Sequence, residues 1–333
     1  MKVLLTGATG MMGRSTAVAL LARGDTVTVL QRRPAGVDCR EVLGDIADPR
    51  TVAQAVRGQD AVLHLSAKVD VFGPWAEFAR VNIDGTRAVI DGCRRFGVGR
   101  LVHVSSPSVS HAGAALVGAG AGPADPDTAR SNYSRSKAAA ELLALEADSE
   151  DLAVLCIRPH LVWGPGDTQL VQPIIERAAA GRLPMIGTGA ALIDTTYVDN
   201  AVDALVAALD RCGPVHGESL VVSNGEPRSV GEILRRVCLA AGVPGPRGHV
   251  SLPVASLAGR VVEDLWSLIH RNDRPPMTSF LAEQLGTAHW FDQRHTRAVL
   301  EWSPRIALEE GFELLRRSLA PETMEGSAPP PRS

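Results

Sequence analysis

The chain has 333 residues and a formal net charge of −3 at pH 7, with 45% hydrophobic and 21% charged residues. This length allows a large core and two lobes. A charge so close to zero creates no strong field for nucleic acid or an anionic membrane surface. No uninterrupted apolar run approaches the roughly 20 residues of a membrane-spanning helix. The five scattered cysteines show no CxxC or Cys/His spacing, so we expect no bound metal and a cytoplasmic protein.

Short apolar runs alternate with helical patterns in the first half of the chain. The runs predict buried strands at residues 3–5, 27–30, 41–43, 61–65, 101–104 and 154–157. The patterns between them predict helices at residues 14–23, 50–56, 86–96 and 133–147. This alternation indicates an α/β protein with a doubly wound parallel sheet of the Rossmann type.

A glycine-rich loop follows the first strand and opens the first helix. Glycine permits the tight turn and the close approach of backbone to a pyrophosphate, and the helix start offers unpaired N–H groups. The context predicts a dinucleotide site, with a purely structural turn as the alternative. The predicted contacts are Gly7, Thr9, Gly10, Met11, Met12 and Gly13.

Two arginines, Arg32 and Arg33, follow Gln31 after the second predicted strand. NAD sites usually carry an acidic side chain there for the ribose hydroxyls, whereas guanidinium groups suit a 2′-phosphate. The pattern therefore predicts NADP(H), with Arg32 as the preferred contact. A pair of solvated loop arginines is the alternative, and NAD(H) stays possible.

Tyr133 and Lys137 have the i, i+4 spacing of one helix face, in a chain with only two tyrosines. A positive charge beside a phenol lowers its pKa, which makes a proton donor usable near neutral pH. An exposed helical pair is the alternative.

The rest of the chain is less regular. Residues 112–126 are rich in Gly and Ala and predict a loop. Further helices are predicted at residues 171–180, 201–209, 230–240, 254–270 and 309–319. We expect a cofactor-binding domain at 1–165, with a return segment at about 190–225. A smaller, mostly helical substrate lobe would comprise 166–189 and 226–320, followed by a flexible tail at 321–333.

Several segments together resemble the extended short-chain dehydrogenase/reductase superfamily. They are residues 44–46, 64–68, 81–86, 104–109, 133–137, 158–166 and 196–200. Within it, residues 104–109, 158–167 and 274–278 look most like the branch of 3β-hydroxysteroid dehydrogenase/isomerases and 2-alkyl-3-oxoalkanoate reductases. The resemblance covers nearly the whole chain, to about Leu319.

The resemblance implies Ser106 as the active hydroxyl, and Lys137 also as a contact of the nicotinamide ribose. It implies further cofactor contacts near the adenine, beside the loop after the fourth strand, and at the nicotinamide end. These are Asp45, Ile46, Leu65, Ser66, Ala67, Lys68, Asn82, Tyr133, Lys137, Pro159, Leu161 and Val162. Lys68 is equally interpretable as a solvated loop lysine, and Asn82 as a residue that pins helix and loop backbone.

We therefore predict an NAD(P)-dependent oxidoreductase that transfers hydride between NADP(H) and a ketone or secondary alcohol. Tyr133 supplies the proton, Lys137 lowers its pKa, and Ser106 stabilises the charge growing on the carbonyl oxygen. Apolar stretches at 252–257 and 265–269 favour a hydrophobic substrate, 3-oxoacyl or sterol-like. We assign His160 no catalytic role, and a homodimer is possible.

Two alternatives stay open. A nucleotide-sugar epimerase or dehydratase of the same fold needs basic residues for a diphosphate, and Arg177, Arg182 and Arg228 are candidates. A non-catalytic dinucleotide sensor is the other alternative. Such proteins typically lose the catalytic tyrosine, which this chain retains.

Overall fold

A computed structural model describes residues 1–70, 72–111, 113–269, 275 and 277–320. Four predictions fall on other residues. The predicted tail at 321–333 lies outside the described residues, as do Ala112 at the start of the predicted loop, His270 at the end of a predicted helix, and Arg274 and Pro276 of the segment 274–278.

Strands occur along the whole described chain and are longest in its first half. They are β1 (Lys2–Thr6), β2 (Thr26–Gln31), β3 (Arg40–Leu43), β4 (Ala61–His64), β5 (Arg100–Val104), β6 (Leu116–Ala119), β7 (Ala153–Pro159), β8 (Val162–Trp163), β9 (Met185–Ile186), β10 (Leu192–Ile193), β11 (Thr196–Tyr197), β12 (Glu218–Val222), β13 (Arg228–Ser229), β14 (His249–Val250) and β15 (His289–Phe291).

Helices alternate with the strands. They are α1 (Met11–Ala22), α2 (Pro49–Val56), α3 (Trp75–Phe78), α4 (Gly85–Phe96), α5 (Asn132–Leu145), α6 (Val171–Ala179), α7 (Val198–Arg211), α8 (Val230–Ala240), α9 (Leu252–Leu268), α10 (Ser279–Gly286), α11 (Arg294–Leu300) and α12 (Leu308–Leu319). A π-helical segment, Ala79–Asp84, joins α3 to α4, and Pro107–Ser110 forms a 3-10 turn after β5.

Seven parallel strands form the large sheet, in the order β12-β7-β5-β4-β1-β2-β3. Its strands bury side chains on both faces, because one apolar cluster includes α1 and α7 and a second includes α2 and α4. The strand order reverses between β1 and β4, and the crevice above that reversal is where such sheets bind ligands. The predicted α/β fold with a doubly wound Rossmann-type sheet is confirmed.

A smaller sheet has four strands in the order β13-β10-β15-β6. Strand β6 lies inside residues 112–126, which were predicted as a loop only. Its partner β15 lies about 170 residues later, and strand pairing over that separation leaves no local sequence pattern. The later segments are therefore less uniformly helical than predicted.

In the part of the chain that the structure describes, no helix has both the length and the apolar content of a membrane crossing. The five cysteines are all free, and Cys156 is fully buried in the core as its apolar strand predicted.

Candidate active site

The glycine loop joins β1 to α1 and leaves the start of that helix open. Gly7 has a φ of 85°, and a Cβ there would lie 3.0 Å from the backbone nitrogen of Ser66. A Cβ on Gly13 would lie 2.3 Å from the carbonyl oxygen of Gly7, so both positions require glycine. Gly10 begins α1 without a side-chain cap, and the first N–H groups of the helix remain available to an anion. This cradle fits the pyrophosphate of a dinucleotide.

Ser106 lies just after the central strand β5 and caps the 3-10 turn that follows. Its Oγ accepts a hydrogen bond from the Ser108 backbone N–H at 3.3 Å and lies 3.0 Å from the Ser108 hydroxyl. Since β5 pairs with β4 and β7 in parallel, this hydroxyl lies at the same sheet edge as the glycine loop. The location is that of a substrate-facing group in an open α/β sheet.

Tyr133 and Lys137 lie one turn apart on α5. The helix begins after Ser131, whose Oγ accepts a backbone N–H of the first turn at 3.1 Å. Lys137 is 3% exposed, and its Nζ donates to the Val104 carbonyl at 2.6 Å. A single hydrogen bond thus joins the helix of the predicted proton donor to the strand that precedes Ser106.

Burial shifts the pKa values of both groups toward their neutral forms. It raises the pKa of Tyr133, and a hydrogen bond with Ser106 opposes this shift. It lowers the pKa of Lys137 to about 8, against the opposing charge of Glu141. The sequence predicted a lowered pKa for Tyr133, and the structure differs because burial outweighs the other effects on the phenol. A protonated phenol at neutral pH is a proton donor.

Asn82, in the π-helical segment, ties the loop after β4 to α5. Its Oδ1 accepts the Lys68 backbone N–H at 2.7 Å, and its Nδ2 donates to the Lys68 carbonyl at 3.2 Å and to Ser136 Oγ at 2.8 Å. Ser136 Oγ in turn donates to the Tyr133 carbonyl at 2.9 Å. The interpretation that Asn82 pins helix and loop backbone is confirmed.

A buried chain of hydrogen bonds extends from Asn82 to the strand of the glycine loop. Thr86 Oγ1 donates to the Asn82 carbonyl at 2.6 Å and therefore accepts from His64 Nε2 at 3.0 Å. Burial, followed by the charge of Lys137, lowers the pKa of His64 to about 3, so the ring is neutral. Its Nδ1 then accepts from Thr6 Oγ1 at 2.8 Å. The network couples β1 to α5 without a charged group.

A cavity of about 470 Å³ opens between the glycine loop and elements from the second half of the chain. This volume lies within the range of small-molecule sites. Most of the predicted site residues line it together: Gly7, Gly10, Met11, Met12, Gly13, Leu65, Ser106, Tyr133, Pro159, Leu161 and Val162.

Several charged side chains lie near the carboxyl ends of β2 and β3, and none of them lines the cavity. Arg32 and Arg33 are exposed directly after β2. Burial alone would raise the pKa of Asp45. The pKa is lowered instead, because a backbone hydrogen bond, the neighbouring Arg80 and the charge of Arg32 outweigh burial. Asp45 Oδ2 accepts from Arg80 Nη1 at 2.7 Å. The side chain of Ile46, by contrast, packs in the core.

Near the end of β2 lies the carboxylate of Glu41. The sequence pattern did not indicate a carboxylate at this position. Strand pairing brings it beside β2, with Val29 opposite. Its Oε1 accepts from Gln31 Nε2 at 3.2 Å and from the Ala35 backbone N–H at 2.9 Å. Glu41 thus fixes the bend that contains the two arginines.

The loop after β4 and the tip of the glycine loop contribute the remaining predicted cofactor residues. Lys68 Nζ lies 3.0 Å from Asp70 Oδ2 and 3.0 Å from Glu77 Oε2, so acidic neighbours hold this lysine. The Ser66 backbone N–H donates to Thr6 Oγ1 at 3.0 Å. Outside the cavity lining lie Thr9, Ser66, Ala67, Lys68, Asn82 and Lys137.

Elements far along the chain complete the cavity wall, and sequence reasoning did not identify them. Helix α10 lay outside every predicted helix, and His289 lies more than a hundred residues after His111 and His160. The sequence signals are that His111 comes two residues after the segment 104–109 and that His160, which was assigned no catalytic role, lies inside the segment 158–167. The added lining includes His111, His160, Phe280, Leu281, Gln284, His289 and Phe291.

Two sequence arguments about the substrate do not match the cavity. None of Arg177, Arg182 and Arg228 lines the cavity. The basis for binding the diphosphate of a nucleotide sugar there is therefore removed. The apolar stretches 252–257 and 265–269 lie in α9, apart from Ile269 just after it. Val254 and Leu257 are exposed, and no described side chain of these stretches lines the cavity. These stretches therefore give no support for a hydrophobic substrate, because burial depends on tertiary contacts; the apolar lining includes Phe280 and Leu281 of α10 instead.

Residues 3–223 match the NAD dependent epimerase/dehydratase family. A 2-alkyl-3-oxoalkanoate reductase from Stenotrophomonas maltophilia (strain K279a) is 38% identical, over 96% of this chain and 100% of the relative. A 3-beta-hydroxysteroid dehydrogenase from Mycolicibacterium neoaurum is 29% identical, over 93% of this chain and 89% of the relative. The solved structure of MoeE5 in complex with UDP-glucuronic acid and NAD is 25% identical, with a TM-score of 0.71, over 96% of this chain and 98% of MoeE5.

These similarities confirm the predicted superfamily and its steroid dehydrogenase and oxoalkanoate reductase branch. They also confirm the predicted class of enzyme, an NAD(P)-dependent oxidoreductase that acts on a small-molecule substrate. The chain belongs to the NAD dependent epimerase/dehydratase family.

Proposed function

We propose that the chain transfers hydride between NADP(H) and a ketone or secondary alcohol on a hydrophobic substrate, 3-oxoacyl or sterol-like. The observation that carries the proposal is that Ser106, Tyr133 and the glycine loop line one cavity. A wall that includes Phe280 and Leu281 favours an apolar substrate. The curated relative named as a 2-alkyl-3-oxoalkanoate reductase supports the 3-oxoacyl class.

Each proposed catalytic residue has one task. Nicotinamide cofactors supply hydride chemistry when bound. Tyr133, whose pKa burial raises, donates its phenolic proton to the oxygen of the carbonyl being reduced. Ser106 donates a hydrogen bond to the same oxygen and stabilises its developing charge. Lys137 stabilises the phenolate that remains.

The proposed cofactor contacts follow the fold. The open start of α1 suits the pyrophosphate, Arg32 and Arg33 suit a 2′-phosphate, and the residues around Asp45 suit the adenine.

We propose the same division of the chain as above: 1–165 with about 190–225 for the cofactor, and 166–189 with 226–320 for the substrate. Limited proteolysis with and without NADPH tests this division, since bound cofactor protects only the first unit from cleavage.

The proposed reaction is tested by following NADPH oxidation with ketones and 3-oxo acids of increasing alkyl length. We expect kcat/KM to rise with chain length, because each buried CH₂ contributes about 0.8 kcal/mol. A rise in melting temperature with UDP-sugars, together with no ketone reduction, would support an epimerase or dehydratase instead.

Arg32→Ala is expected to weaken NADPH binding by about 10- to 100-fold, the loss of a charge-assisted contact to phosphate. NADH, which has no 2′-phosphate, serves as the internal control and should change by less than about threefold. Fluorescence titration of both cofactors measures the two dissociation constants. Equal losses for NADPH and NADH would contradict a 2′-phosphate contact.

We also propose a homodimer that buries one face of α9. Five apolar side chains on this face, spaced three or four residues apart, are between 46% and 76% exposed: Val254, Leu257, Val261, Leu265 and Leu268. A continuous exposed apolar stripe of this kind marks an interaction surface. Sedimentation velocity should give a dimer for the wild type and a monomer for Leu257→Glu. A wild-type monomer would contradict the proposal.

A cytoplasmic location is proposed on the five free cysteines, which suit a reducing compartment. Fractionation of cells that express the chain tests it.

A further inference from the structure

Three buried histidines form a cluster in the cavity wall beside Ser106 and Tyr133. His111, His160 and His289 are each no more than 5% exposed. The ring centroids of His160 and His289 lie 4.9 Å apart, and those of His111 and His289 lie 6.4 Å apart. The proposed reaction gives no task to any of them.

Hydrogen bonds assign the protons of two of these rings. His289 Nε2 lies 2.8 Å from the Gln284 carbonyl oxygen, which accepts only, so this nitrogen is the donor. In a neutral ring His289 Nδ1 is then an acceptor, and His160 Nε2 donates to it at 3.0 Å. His160 and His289 therefore hold each other in place, and that hydrogen bond is not available to a ligand.

The third ring keeps an unused donor. His111 Nδ1 accepts the Gly113 backbone N–H at 3.2 Å, so the proton of the neutral ring is on Nε2. Among the described residues this Nε2 has no hydrogen-bond partner, and it exposes almost no surface, so a ligand oxygen reaches it only with a small rotation of the His111 ring. Burial lowers the pKa of all three histidines, that of His289 to about 4, so the cluster is uncharged at neutral pH. Buried donors are rarely left unpaired, so this N–H is suited to a ligand oxygen.

The charges near His111 are already used by other groups. Arg130 Nη2 pairs with Glu283 Oε1 at 2.5 Å, which ties the segment before α5 to α10. Asp167, the charged residue in the lining, accepts backbone N–H groups of Gln169 and Val171 at 2.7 and 2.9 Å. No lysine or arginine occurs among the described residues that line the cavity. An oxygen bound here therefore meets a neutral imidazole N–H.

We propose that His111 binds the carboxyl group of a 3-oxo acid whose keto oxygen lies at Ser106 and Tyr133. This inference rests on the proposed function and selects one of its substrate classes. His111 follows the short 3-10 turn that Ser106 begins, so one turn presents two oxygen-binding groups. A 3-oxo acid has two oxygen functions separated by a single carbon. A sterol has only hydrocarbon beside its 3-keto group and would leave the His111 donor unpaired.

The test compares a 2-alkyl-3-oxo acid with the ketone that lacks only its carboxyl group. The measured quantity is the ratio of kcat/KM for the acid to kcat/KM for the ketone. We expect the wild type to favour the acid and His111→Phe, which keeps a flat ring but has no donor, to lower the ratio about 10- to 100-fold. His111→Gln, which restores an N–H donor, should recover at least a third of the wild-type ratio. His295→Phe, an exposed ring remote from the lining, should leave it unchanged.

The outcomes distinguish a failure of the proposed function from a failure of the role of His111. A wild type that reduces neither compound contradicts the proposed function. A wild type that reduces both equally, or a His111→Phe ratio within twofold of wild type, contradicts the role of His111 alone. If His111→Phe does not fold, the wild-type melting temperature decides: the 3-hydroxy acid product should raise it more than the matching secondary alcohol, and equal shifts would overturn the inference.

Discussion

Replacement of Tyr133 by phenylalanine is expected to lower kcat for ketone reduction by about two to four orders of magnitude. The change removes one oxygen atom and with it the proton donor. The remaining hydroxyl assigned to the carbonyl oxygen, that of Ser106, is a much weaker acid than a phenol and replaces the donor poorly. NADPH affinity should stay within a few-fold of wild type, since the glycine loop is untouched.

The chain offers a matched control for this variant. It contains one other tyrosine, Tyr197, which is 2% exposed, packs edge-on against Trp163 and does not line the cavity. Tyr197→Phe makes the same chemical change elsewhere and should retain kcat within about twofold, as expected of a residue outside the reaction. Stopped-flow measurement of NADPH oxidation compares the two. A Tyr133→Phe enzyme with more than a tenth of the wild-type kcat would contradict the proton-donor role.

The raised pKa of Tyr133 suits the proton transfer that the proposed reduction requires. Reduction requires the protonated phenol, whereas oxidation of an alcohol requires the phenolate as base. Because burial raises the pKa of this phenol, its protonated form prevails at neutral pH, and the phenolate gains only as pH rises toward that pKa. Lys137 has a pKa lowered to about 8 and therefore loses its charge at a lower pH than the phenol loses its proton.

The parts of the fold that could be predicted from sequence depend on local patterns. The glycine loop follows a buried strand and opens a helix within a dozen residues, and the steric need for Gly7 and Gly13 is expressed in the spacing itself. The strands of the large sheet are continuous apolar runs because helices cover both faces. In contrast, β6 pairs only with β15 among the described strands, β15 also needs β10, and no window of sequence includes these partners.

Prediction of the site from sequence was also limited to local patterns. Tyr133 and Lys137 were predictable because one helix turn relates them. The pKa direction of Tyr133 was not, because it depends on how much protein surrounds the phenol. The relation between His111 and His289 was also inaccessible, since chain separation carries no information on their 6.4 Å ring distance. Helix α9 shows the opposite error: its apolar residues were taken to favour a hydrophobic substrate, but Val254, Leu257 and Leu265 are exposed and none of them lines the cavity.

Replacement of Glu141 by alanine is expected to have the largest effect on stability, a loss of about 3–5 kcal/mol in the free energy of unfolding. Glu141 on α5 and Arg158 on β7 are 0% and 1% exposed, with Arg158 Nε 2.9 Å from Glu141 Oε2. Ser219 Oγ also donates to Glu141 Oε1 at 2.6 Å. Removal of the carboxylate leaves a buried guanidinium without its counter-charge, and the lost solvation of that cation is not compensated.

An exposed pair distinguishes this effect from the simple loss of an ion pair. Asp203 pairs with Arg305, which is 69% exposed, and Asp203→Ala should lower the free energy of unfolding by less than about 1 kcal/mol. Urea denaturation of both variants gives the two values. If Glu141→Ala lost no more than Asp203→Ala, the buried pair would not hold α5 to β7. Because Tyr133 and Lys137 lie on the same helix, a real loss there would also displace the proton donor from Ser106.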